Sequence, residues 1–63
     1  MIIDTTNKYL VGIRGGNVVV LLPPRPGEGI SKENALNLAA YLVSMAGASE
    51  EEFREVLQAV ENT

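Results

Sequence analysis

The sequence predicts a small α+β domain of order ββαα, a β-hairpin followed by an αα-hairpin, and three observations carry that expectation. Residues 9–22 are rich in β-branched side chains and are interrupted by Gly15-Gly16, a dipeptide suited to the positive φ angles of a tight hairpin turn. Residues 23–29, Pro-Pro-Arg-Pro-Gly-Glu-Gly, end any strand and form a stiff connection. Ser31 and Ser49 each precede a run whose apolar residues recur at helical spacing.

The hairpin is expected over residues 8–23. With Gly15 and Gly16 as its loop, Arg14 stands opposite Asn17, Ile13 opposite Val18, and Val11 opposite Val20. One face then carries Tyr9, Val11, Ile13, Val18, Val20 and Leu22 and suits the core. The other carries Lys8, Leu10, Gly12, Arg14, Asn17, Val19 and Leu21. This second face is half apolar, where a hairpin with one wet side would show polar residues, so it calls for a cover. Residues 1–6, with Ile2, Ile3, Thr5 and Thr6, suit a short third strand at the edge.

Residues 24–30 form the connecting loop, with Pro26-Gly27 at the centre of a type II turn. Pro23 and Pro26 also have the spacing of a Pro-x-x-Pro ligand, a short and common motif. The first helix is expected over 31–46, capped by Ser31, with Glu33 in its first turn and Gly47 as its stop. Ala35, Leu38, Ala39, Leu42, Met45 and Ala46 form its apolar face. Asn34, Asn37, Tyr41 and Ser44 form a polar stripe placed on the opposite side, and Leu36, Ala40 and Val43 keep the rest apolar. The second helix is expected over 49–61. Ser49 and Glu52 hold the reciprocal positions of a capping box, and Phe53, Val56, Leu57 and Val60 form its apolar face.

Size and composition bound what such a domain can do. A chain of 63 residues forms one thin core, and domains this small commonly need disulfides, a metal or self-association. There is no Cys and no His, which removes disulfides and the common zinc, haem and iron–sulfur ligand sets. Self-association remains, so the chain is expected to work as a homo-oligomer, at least a dimer. Five basic and eight acidic residues leave a net charge of −3, with Glu50, Glu51, Glu52, Glu55 and Glu61 crowded late. No basic stripe for a nucleic-acid polymer exists. The longest apolar run, Val18 to Leu22, is far short of the roughly 20 residues that span a membrane. With no secretion signal in residues 1–4, a cytoplasmic protein is expected.

No nucleophile has an obvious activating base, and the carboxylates of the second helix are explained by capping and the helix dipole, so no catalytic residue, metal ligand or cofactor is expected. Binding is the better prospect. Arg14 and Asn17 flank turn glycines whose N–H groups suit a phosphate or carboxylate. Arg25, with Ser31 and Lys32 at a helix start, is a second anion-binding prospect. Neither matches a P-loop or dinucleotide fingerprint, and a plain turn with an ordinary capped helix explains both as well. The stripe of Asn34, Asn37, Tyr41 and Ser44 is either a solvated face or, being uncharged and rich in amides, a reader of a nucleobase or peptide edge with Tyr41 as a stacking face.

The runs Ile13-Arg14-Gly15-Gly16-Asn17-Val18-Val19-Val20 and Ser31 to Val43, with the ending Val60-Glu61-Asn62-Thr63, resemble small, mostly uncharacterised proteins encoded by bacteriophages and prophages. The resemblance implies an accessory product of the bacterial cytoplasm. Such products interfere with host defence by sequestering a nucleotide signal or by binding a host protein. The functions to be weighed are therefore capture of a small polar ligand, a cyclic nucleotide in the narrowest form, at a subunit interface, and docking on a host protein.

Overall fold

The computed structural model describes residues 2–63 and has the ββαα order: β1 (Val11–Arg14), β2 (Asn17–Val20), α1 (Lys32–Ala46) and α2 (Glu50–Glu61). The strands pair antiparallel in the register that the glycine turn dictates, Val11 with Val20, Gly12 with Val19, Ile13 with Val18 and Arg14 with Asn17. Gly15 and Gly16 take φ of 57° and 80°, the left-handed pair that matches the twist of the strands they join.

The strands are shorter than residues 8–23 allow. Leu10 has φ 46°, a left-handed conformation that costs a residue with a Cβ roughly 1–2 kcal/mol. The ladder thins there. Leu21 N–H still donates to the Leu10 carbonyl at 3.3 Å and Leu22 N–H to Tyr9 at 3.0 Å, but Leu10 N–H turns back to the Asn7 carbonyl. Asn7 secures this kink by imitating a strand residue. Its side-chain Oδ1 accepts from Val11 N–H and its Nδ2 donates to the Val11 carbonyl, both at 2.9 Å.

The expected third strand does not form. Residues 2–6 pair with neither strand; Met1, the remaining residue of that expectation, lies outside the described residues. Residues 4–8 run instead along α1, because the side chains of α1 offer donors to their carbonyls and the left-handed Leu10 has already turned the chain off the sheet.

Both helix starts follow their caps. Ser31 Oγ accepts from Asn34 N–H at 3.1 Å, and Ser49 and Glu52 exchange both bonds of the capping box at 3.0 and 3.1 Å. Gly47, at φ 72°, ends α1 and gives its N–H to the last turn. The helix α1 packs against both strands, whereas α2 is exposed along its whole length. The second helix thus follows α1 closely in the chain without burying its apolar face.

Among the described residues only Val11, 4 % exposed, is buried. The remaining core-face residues are at best half-buried, and Ile13 and Leu22 are open. A folded monomer of 6.8 kDa exposes about 4,000 Å² by the usual scaling, whereas this one exposes 5443 Å², roughly 1,500 Å² more. Large apolar side chains are part of that surface. Leu10 and Leu21 on the hairpin, Leu36 on α1, and Phe53, Val56, Leu57 and Val60 on α2 are all exposed. No helix among the described residues is long and apolar enough to cross a membrane.

Candidate functional site

The polar stripe of α1 is where the fold gathers the most side-chain chemistry. At 3.6 residues per turn, Asn34 and Tyr41 fall beside Leu38 and Met45 rather than opposite them, so the stripe borders the apolar face. This corrects the expected placement on the far side of the helix. Asn34, Asn37 and Tyr41 are accordingly half-buried, and only Ser44 is exposed.

What half-buries them is the chain itself. Asn37 Nδ2 donates to the carbonyls of Asp4 at 3.2 Å and Thr6 at 3.0 Å, and the Tyr41 hydroxyl donates to the Thr5 carbonyl between them. Lys8 Nζ donates to Asn34 Oδ1 at 2.8 Å and pairs with the Asp4 carboxylate at 3.2 Å. Residues 4–6 are thereby strapped to α1 through their main-chain oxygens. Because carbonyls are what Asn37 and Tyr41 grip, the recognition does not depend on the side chains of Thr5 and Thr6. The two acceptors near Nδ2 also set the orientation of the Asn37 amide, and its Oδ1 is left buried with no partner.

Asp4 anchors the strap. Its Oδ1 accepts from Thr6 N–H at 2.9 Å, the local turn that an Asp-x-Thr sequence favours. That backbone bond, then the Thr6 hydroxyl and the Lys8 ammonium, hold its carboxyl down at about 2. Glu52 is held below the usual carboxylate range by the backbone N–H and hydroxyl of Ser49.

The other candidate residues lie on separate features. Arg14 and Asn17 are exposed at the hairpin turn. Arg25 lines a shallow recess of about 200 Å³ with Tyr9, Pro24, Glu28, Gly29 and Ile30. Ser31 is engaged as the α1 cap, and Lys32 is exposed beside it. Lys8 forms the one ion pair among the described residues, so Arg14, Arg25, Lys32 and Arg54 carry free positive charge.

A groove of about 410 Å³ between α1 and α2 was not expected from the sequence. Leu42, Val43 and Ala46 line one side and Phe53 and Val56 the other. Helical spacing marks Leu42, Ala46, Phe53 and Val56 as apolar-face residues, with Val43 beside that face, and by itself that pattern means core. The strap had a legible signal in the Asp4-x-Thr6 turn and the Asp4/Lys8 pair, but nothing in the sequence pointed to Asn37 or Tyr41 as their partners. No family model, no curated protein and no solved structure matches the chain.

Proposed function

We propose that this chain is a non-enzymatic binding protein that works as an assembly of copies and holds a small anionic ligand, of which a nucleotide is the favoured class, between them. The observation that carries this reading is the open surface. One residue is buried among those described, and roughly 1,500 Å² beyond a monomer's usual area is exposed. Copies coming together would cover it, and the recesses between them are where so thin a fold can form a pocket. Four free cations in a chain of net charge −3 supply the means to hold an anion.

The α1 stripe enters this reading with a condition. Asn34, Asn37 and Tyr41 are engaged by residues 4–8, so a ligand reading the stripe must displace the strap, and the unpaired Asn37 Oδ1 then becomes an acceptor for it. In the narrowest form the ligand is a cyclic nucleotide signal and the setting the cytoplasm of a phage host. Light scattering on a size-exclusion column should return a mass above one copy at micromolar concentration, and a nucleotide panel should contain a compound that raises the melting temperature. A clean monomer would defeat the proposal, whether or not a nucleotide stabilises it. Removing residues 2–6 should tighten binding at the stripe and leave binding elsewhere unchanged.

The second reading, an adaptor or inhibitor of a host protein, is favoured by α2. Its exposed apolar face, Phe53 to Val60 over about two turns, suits docking into a groove. A monomer that co-purifies with a host protein and ignores nucleotides would give this reading precedence.

A further inference from the structure

We propose that the copies assemble head to tail, with α2 of one copy lying on the outer face of the hairpin of the next. The proposal rests on the assembly reading above and names the two surfaces that meet.

The first argument is area. A stable interface removes about 800 Å² from each partner. The surplus surface of this fold, roughly 1,500 Å², is close to two such faces per copy. An isologous dimer built on α2 against α2, or on hairpin against hairpin, would use one face and leave the other bare, whereas a head-to-tail contact uses both.

The second argument is a glycine without a local cause. Gly12 lies in the middle of β1, is not in the left-handed region, and a Cβ built on it would meet open space. Neither backbone conformation nor packing within the chain requires glycine there, and a glycine inside a strand weakens it and often marks close approach by another molecule. By register Gly12 shares its face with Arg14, Asn17 and Val19, on the half-apolar side for which the sequence demanded a cover, and Leu10 and Leu21 follow at the end of the ladder. Leu10 and Leu21 remain exposed, and next to them Gly12 leaves space for a side chain of another copy.

The third argument is charge. Residues 48–63 contain Glu50, Glu51, Glu52, Glu55 and Glu61 against Arg54 alone, while Lys8, Arg14, Arg25 and Lys32 all precede residue 33. Helical spacing puts Glu50 and Glu61 at the border of the Phe53, Val56, Leu57 and Val60 face. An α2–α2 contact would bring these carboxylates together. Placing α2 on the hairpin sets them against Arg14, which has no ion-pair partner among the described residues.

The test uses two variants of the full chain. Gly12→Val fills that space, and because the space is open within one copy it should fold normally by circular dichroism. Val56→Glu charges the α2 face, which is exposed in the single copy. Each alone should elute as a monomer. Mixed in equal amounts they should form a one-to-one dimer that goes no further, because each retains the surface the other lost. If the wild type is assembled and Gly12→Val leaves its mass unchanged, or the mixture stays monomeric, the head-to-tail arrangement is wrong and the assembly reading survives. A monomeric wild type would remove both.

Discussion

Replacing Tyr41 by Phe takes one oxygen out of the strap and leaves the ring in place. The lost interaction is a hydroxyl donated to the Thr5 carbonyl, and a typical net value for such a bond is about 0.5–1.5 kcal/mol. This one sits at the low end, since the Thr5 carbonyl lies in an exposed residue and can take water instead. A loss of about 0.5 kcal/mol in a domain this short lowers the melting temperature by about 4 °C at most. Local opening is the more telling readout. Amide exchange at Thr6, whose N–H is held by Asp4, should accelerate about twofold, since 1.4 kcal/mol corresponds to about tenfold. Asn37→Ala removes two strap bonds and should accelerate it further, by less than two full bonds imply, because it also removes the unpartnered Oδ1. The hairpin amides of Val18 to Val20 should keep their wild-type rates in both variants. Equal acceleration in strap and hairpin, or none at Thr6, would refute the view that Tyr41 and Asn37 act locally as a clamp.

Ser49→Ala should cost about 1 kcal/mol by removing the α2 cap, and because α2 is too short to be stable alone and exposed throughout, the ellipticity at 222 nm should fall visibly. Lowering the pH should release the strap: the Asp4 pKa is depressed on folding, so its contribution is present above the ordinary value of 3.8 and is lost as pH falls toward about 2, which the Thr6 amide chemical shift can follow. Glu52 is depressed in the same sense, so the α2 cap should weaken as pH falls below the ordinary Glu value of 4.5, read as falling ellipticity. Gly16→Ala should destabilise the hairpin by about 1 kcal/mol, since a Cβ at φ 80° is strained although nothing crowds it, and thermal melting would show it.

How much was legible follows from how local each signal is. The hairpin register could be read because two glycines in sequence leave one way to close a two-residue turn, and period-2 alternation then assigns every pair. Both helix starts could be read because an N-cap serine bonds a backbone N–H three residues away, as Ser31 and Ser49 do. These are contacts within a few residues, so the local sequence determines them. The strap is of another kind. Tyr41 meets Thr5 and Asn37 meets Asp4 across more than thirty residues, and an amide at helical spacing looks the same whether its partner is water or a carbonyl. The left-handed Leu10 was equally silent, because Leu has no preference for that conformation and the bracket that Asn7 places on Val11, with the Leu10 N–H bond to the Asn7 carbonyl, holds it there.

The sequence alone determined the element order, the register, the caps and the chain's surplus of apolar surface, since each depends on turn chemistry, spacing or composition. Tertiary structure decided where that surplus lies. Apolar periodicity shows that a face is to be covered without showing by what, and here it is the fold that covers Val11, straps the α1 stripe with residues 4–8, and leaves the hairpin's outer face and α2 open.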